Sequence, residues 1–164
     1  MKSFRTRRHV SHSAADMFAL VSNVDAYPQF VPLCEAMRVR RRTETAPGVV
    51  ELVADMQVGF KAICERYTSR VICDSNRLEV QVGYIDGPFR KLDNRWSFRE
   101  EAPGPDGRPR SVIEFFIAYE FKSMALGLVM GAMFDKAFQK YADAFVKRAD
   151  EVYGRARIGD GPRQ

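Results

Sequence analysis

From about residue 35 to residue 122 the chain alternates apolar and polar positions with a period of two. Val50, Leu52, Ala54, Met56 and Val58 share one parity, and Glu51, Asp55 and Gln57 take the other. Leu78, Val80, Val82 and Tyr84 repeat the pattern, and Ile113, Phe115, Ile117, Tyr119 and Phe121 repeat it most strongly. Such alternation predicts strands with one buried face. Pro47-Gly48, Asp74-Ser75-Asn76 and Asp86-Gly87-Pro88 supply turn chemistry at hairpin spacing, and the Pro/Gly-rich stretch Glu101 to Arg110 predicts a longer loop. Six strands joined in sequence form an antiparallel meander. A further strand is expected over Lys2 to Ser11, where Phe4, Thr6 and Val10 alternate with Arg5 and Arg7.

The period shifts to helical in three places. Ser13 can cap a helix in which Asp16 occupies the first turn and Met17, Leu20, Val21 and Val24 form the apolar face. Asp25 to Pro32 predicts a short helix or tight turn, with Asp25 as its cap. The last element is the longest. Leu126, Met130, Met133, Phe134, Ala137, Phe138, Tyr141, Phe145 and Ala149 lie on one face up to Gly154. A continuous helix from about 125 to 153 would span roughly 43 Å.

The order is strand, two short helices, six strands, long helix. A sheet with one apolar face must cover it, and only the final helix is long enough to do so. The expected fold is therefore α+β, a curved antiparallel sheet of about seven strands around a C-terminal helix. A space between the two could hold a ligand. Residues 1–154 form one domain in this reading, and 155–164 form a flexible tail. Gly127 and Gly131 are expected to let the helix backbone approach the sheet closely.

Composition narrows the function classes. The 164 residues are 46% hydrophobic and 29% charged, as in an ordinary folded protein. The net charge is +5 and the isoelectric point about 9.3, which favours anionic partners without requiring one. No apolar run approaches the ~20 residues of a membrane span, and the basic start Met1 to Val10 has no secretory core, so the expected location is cytoplasmic, with any membrane contact peripheral. Cys34, Cys64 and Cys73 fit neither a zinc pattern nor a disulfide framework and read as small buried hydrophobes. His9 and His12 have odd spacing and are expected on opposite sides of a strand, away from any nucleophile or metal motif. No metal site, required cofactor or catalytic residue is predicted, so the chain reads as a binder rather than an enzyme.

Two sequence blocks resemble a known family. Val21-Ser22-Asn23-Val24-Asp25-Ala26-Tyr27-Pro28-Gln29-Phe30-Val31-Pro32-Leu33-Cys34 is similar to the signature of the coenzyme Q-binding branch of the START-like (polyketide cyclase/dehydrase and lipid transport) superfamily. Pro88-Phe89-Arg90-Lys91-Leu92 followed by Trp96-Ser97-Phe98 resembles a second block of that family. The resemblance implies the helix-grip fold. It also implies one of two functions: binding or chaperoning ubiquinone in support of respiration or quinone biosynthesis, or the ribosome-association toxin activity of the bacterial RatA group. Cyclases and aromatases are more distant relatives.

The candidate ligand contacts follow. Tyr27, Phe30, Val31, Pro32 and Leu33 are either the mouth of a cavity or a plug in the core. Val80, Val82, Trp96, Phe98, Phe115, Ile117 and Tyr119 on the sheet, with Met130, Phe134, Phe138 and Tyr141 on the helix, line core and cavity alike. Tyr84, Tyr119 and Tyr141 offer hydroxyls to a quinone carbonyl. Arg38, Arg40 and Arg42 share one face of a strand, either as a contact face for RNA, the ribosome or anionic lipid, or as charge protecting a sheet edge. The expected partner is a quinone or similar lipid, and the oligomeric state is left open.

Overall fold

The alternating segments form strands whose register follows their parity. The computed structural model describes residues 1–154; the tail expected at 155–164 lies outside them. The elements are β1 (Lys2–Val10), α1 (Ala14–Ser22), a 3-10 helix (Val24–Gln29), β2 (Cys34–Ala46), β3 (Val49–Phe60), β4 (Ile63–Asp74), β5 (Glu79–Asp86), β6 (Phe89–Glu101), β7 (Arg110–Phe121), α2 (Met124–Gln139) and α3 (Tyr141–Tyr153). The strands form one antiparallel sheet in the order β1-β7-β6-β5-β4-β3-β2, so the meander is completed by the first strand pairing with the last.

Register shifts between Cys34 and Ala36, Val39 and Arg41, and Glu44 and Ala46 in β2, and between Phe89 and Lys91 in β6, bend these long strands. The concave face carries Leu52, Val71, Val80, Trp96, Phe98, Phe115, Ile117 and Tyr119, all buried. The helices lie across this face and contribute Met17 and Val21 from α1, Met130 and Phe134 from α2, and Phe145 and Ala149 from α3. This is the helix-grip arrangement. Phe145, fully buried, meets Trp96 edge-on at 4.9 Å. Truncating a buried aromatic of this kind costs about 3–5 kcal/mol.

α1 begins as its sequence implies, with Ser13 Oγ accepting the Asp16 N–H at 3.0 Å. Asp25, by contrast, is not a cap. Asn23 precedes the 3-10 helix without a side-chain cap bond, and Asp25 sits in the first turn and binds Arg42 instead.

The C-terminal helix is not continuous. At Lys140 the backbone N–H turns to the Ala137 carbonyl at 3.0 Å, a tighter ring than the α-helical one, and the ladder restarts when Ala144 N–H reaches the Lys140 carbonyl. No proline or glycine marks this break, so the 3.6-residue pattern runs through it. α2 packs against β7 and β1, whereas α3 packs against β1 and α1.

Four smaller expectations are corrected. Cys64 is exposed on the outer face of β4, while Cys34 and Cys73 are buried and free. Leu78 lies before β5 with φ 54°, outside the alternation it was expected to open. His12 lies beyond the end of β1 and is buried. A Cβ on Gly131 would meet nothing within 4 Å, and one on Gly127 would make only ordinary contact with Phe121 at 3.7 Å, so neither glycine marks a close approach.

Candidate ligand-binding interior

Between the concave sheet and the α2–α3 break lies a cavity of about 50 Å³. Its walls are Met37 from β2, Ala54 and Met56 from β3, Tyr67, Ser69 and Val71 from β4, Val82 from β5, and Asn94 and Trp96 from β6. Val24 and Tyr27 close it from the 3-10 helix, and Tyr141 and Phe145 close it from α3. A space of this size holds little more than water, while small-molecule sites run to ~300–1,000 Å³. The interior is therefore nearly filled in this conformation.

The polar groups facing the cavity are few and mostly tyrosine. Tyr27 donates its hydroxyl to the Val21 carbonyl at 2.5 Å, and Tyr67 points its hydroxyl at Met56 Sδ, 3.2 Å away. Asn94 donates to the Phe116 carbonyl at 2.9 Å. Burial pushes the phenols of Tyr27, Tyr67 and Tyr141 up, which keeps them neutral donors. Burial likewise raises the neighbouring Cys34 thiol to about 11, so it stays protonated. No lining residue is a histidine or a carboxylate. Among the described residues no three His, Cys, Asp or Glu side chains gather as a metal site.

Two further voids neighbour this cavity in turn, each sharing wall residues with the next. A void of about 10 Å³ between Leu33, Val58, Tyr67, Phe134, Ala137, Phe138 and Tyr141 shares Tyr67 and Tyr141 with the inner cavity. On its other side it shares Leu33 and Ala137 with an apolar surface groove of about 350 Å³ bordered by Pro32, Met133, Lys136 and Lys140. Leu33 holds a φ of 68°, a left-handed conformation that a branched residue adopts only under constraint. The strained residue thus stands between groove and interior.

These positions sort the candidate contacts. Tyr27, Val82, Trp96 and Tyr141 line the inner cavity. Leu33, Phe134 and Phe138 border the connecting void, and Pro32 borders the groove. Phe30 packs edge-on against Phe145 at 4.9 Å beneath the Arg148 guanidinium, and Val31 is buried, so this part of the segment is a plug. Val80, Phe98, Phe115, Ile117 and Met130 are solid core. Tyr119 sits away from the cavity, its hydroxyl 3.5 Å from the Gly131 carbonyl, and burial lifts its phenol to about 12. The Tyr84 hydroxyl accepts the Phe89 N–H at 3.0 Å at a strand end. Of the three tyrosines expected to offer a hydroxyl, only Tyr141 lines the cavity. Ala54 and Met56 belong to an alternating stripe read from the sequence but were not singled out, and Tyr67 was in no stripe that the sequence reading named.

The three arginines do not share a face. Arg38 pairs with Asp55 on the convex side. The bulge between Val39 and Arg41 leaves Arg40 outside the ladder, reaching Asp55 with its Nε at 2.7 Å. The parity then inverts, so Arg42 is opposite Leu52 on the concave side, where its Nη2 meets Asp25 Oδ2 at 3.0 Å. The convex row is Arg38, Arg40 and Arg41, all exposed.

Residues 10–146 match the profile of the family described as polyketide cyclase/dehydrase and lipid transport. The chain is 33% identical over 144 residues to the ribosome association toxin RatA of Escherichia coli (strain K12), covering 88% of this chain and 84% of that one. It is 30% identical over 151 residues to the mitochondrial coenzyme Q-binding protein coq10 of Schizosaccharomyces pombe, covering 91% and 87%. The solution structure of an 18 kDa protein from Caulobacter crescentus superposes with a TM-score of 0.72 at 32% identity, covering 94% of this chain and 99% of that one.

Proposed function

The chain belongs to the polyketide cyclase/dehydrase and lipid transport family, and from that membership we propose that it binds a hydrophobic isoprenoid or lipid between sheet and helices, with ubiquinone as the favoured ligand. The observation that carries this reading is the row of three largely apolar voids that runs from the Pro32–Leu33 groove to the inner cavity, with Leu33, Ala137, Tyr67 and Tyr141 as the side chains between them. The row is narrow at rest. Ligand entry requires α2 to move away from the sheet, and the break at Lys140 lets it do so while α3 stays in place. Each tail carbon buried along the row contributes ~0.8 kcal/mol, so ten give ~8 kcal/mol before the costs of ordering. Neutral tyrosines suit a quinone head, since a phenol donates to a carbonyl oxygen without a charge to desolvate. The lining has no group that could act as a general base at neutral pH, which supports binding rather than turnover.

Organic extraction of the purified protein, followed by mass spectrometry and by titration with a short-tailed ubiquinone, tests the proposal. A bound quinone or saturable uptake is expected. The absence of both would overturn it.

A second reading, action on the ribosome, is favoured by the exposed convex row Arg38, Arg40 and Arg41 together with the likeness to RatA. Charge reversal at Arg38 and Arg41 should then abolish any effect on ribosomal subunit sedimentation and leave quinone uptake intact.

A further inference from the structure

The outward face of α2 is apolar over its first three turns. Met124 is 85% exposed, Leu128 81% and Val129 60%. Ala125 and Ala132 are exposed among them. The inward face at the same level carries Met130 and Phe134, both buried against the sheet. A helix that is apolar on both sides suits two apolar neighbours, and the fold supplies one. Farther along, the outward face turns polar at Asp135, Lys136, Gln139 and Lys140.

The charges around this face have one prevailing sign. The first turn of α2 has no acidic residue, and Lys122 stands just before it. Lys136 and Lys140 border the groove on one flank. A second apolar groove, of about 270 Å³, opens beside Met124, Leu128 and Phe121 on the other flank, with Lys2 at its edge. Glu120 in that groove is neutralised by Arg90 at 2.9 Å, and Asp135 is the acid on the helix itself. The positive end of the helix dipole adds to the lysines.

We propose that this face docks on an anionic lipid surface, with Met124, Leu128 and Val129 in the boundary between headgroups and acyl chains and Lys122 and Lys136 among the headgroups. The ten residues from Met124 to Met133 span about 15 Å, long enough to lie in the plane of a bilayer at the ~5–10 Å depth of an interfacial helix. A second copy of the chain fits less well, because a two-fold contact sets the same lysine-rimmed patch against itself. Docking rests on α2 alone and stands whether or not the interior binds a quinone. Where both hold, the groove at Pro32, Leu33 and Met133 opens beside the docked face, and a ligand passes between bilayer and interior without crossing water.

Flotation with phosphatidylcholine–phosphatidylglycerol vesicles, and with pure phosphatidylcholine vesicles, tests the proposal. The wild-type protein should float with the anionic vesicles, and binding should weaken as salt rises. Leu128→Asp and Val129→Asp should each lower partitioning at least about tenfold, and Lys136→Glu about fivefold. The substituted side chains are exposed, so urea midpoints should match the wild type. The proposal is overturned by a wild-type protein that ignores anionic vesicles, by Asp variants that bind as well as the wild type, or by gel filtration showing a dimer that the same substitutions dissolve. Quinone uptake from detergent should be unchanged in Leu128→Asp. Failed uptake alongside intact vesicle binding would count against the interior reading and leave docking supported.

Discussion

The His12 imidazole is buried against α3, with Nε2 2.7 Å from Asp150 Oδ1. Around this pair, the Tyr153 hydroxyl donates to the Asp16 carbonyl at 3.1 Å, Arg148 to Gln29 at 2.8 Å, and Arg8 to Asp143. α3 is therefore tied by polar contacts to β1, α1 and the 3-10 helix. Among the described residues α2 has no comparable ties: its polar link to the sheet there is the long Tyr119–Gly131 contact. The two halves of the C-terminal helix differ in how they are held, and the break at Lys140 separates them.

Amide hydrogen exchange should follow that division. Protection is expected to be weak over residues 124–131 and strong over 142–149. Gly131→Ala adds a methyl group into open space and should stabilise α2 by about 0.5–1 kcal/mol, raising protection there and slowing quinone exchange. Uniformly strong protection along both helices in the wild type would reject α2 as the moving part.

His12→Ala removes the partner of Asp150 and opens the junction of β1 with α3. The expected cost is about 1–3 kcal/mol in urea unfolding, with ligand affinity changed less than stability. A stability equal to wild type would mean that the pair does not hold α3.

Tyr141→Phe keeps the ring that packs on Phe138 at 5.2 Å and deletes the hydroxyl of a cavity-lining residue. Quinone affinity should fall about two- to tenfold, as expected for one hydrogen bond. Tyr84→Phe, whose hydroxyl serves Phe89 at the strand end, should leave affinity unchanged. Equal effects from both would argue against a head group near Tyr141.

On the outer face, burial pushes the Asp55 carboxyl up, but the Thr68 hydroxyl at 2.6 Å and the Arg40 guanidinium at 2.7 Å outweigh it and hold the group below its usual value. A carboxylate depressed in the folded state contributes stability that is complete above its unfolded value of ~3.9 and is lost as pH falls through the folded value. The gap in stability between wild type and Asp55→Asn should be largest at neutral pH and shrink in acid. A gap that stays constant with pH would show that the carboxylate's charge contributes nothing.

The three thiols should report opening directly. Cys64 is exposed and should react at once with a thiol reagent, whereas Cys34 and Cys73 are buried, with thiols that burial pushes up. Their slow labelling should slow further when quinone is bound. Equal rates at all three positions would mean that the interior is open to solvent at rest.

Much of this architecture is carried by local pattern. Alternation from Val50 to Phe121 specifies strand faces, because a side chain on a strand has only two sides to point to, and Ser13 specifies a helix start because its hydroxyl can satisfy an orphan N–H. The Tyr27–Leu33 block pointed to the segment that closes the interior. Other features were set by tertiary contacts. The bulge after Val39 moved Arg42 to the concave side, and nothing in the run of three arginines from Arg40 to Arg42 encodes which one is skipped by the partner strand. The break at Lys140 carries no glycine or proline; it falls where the anchorage of α3 to His12 and Asp16 gives way to the looser seat of α2. The cavity is the remainder left when Tyr67, Trp96, Tyr141 and Phe145 meet. A remainder of that kind depends on the distances between elements, which the order of residues along one strand or helix does not fix.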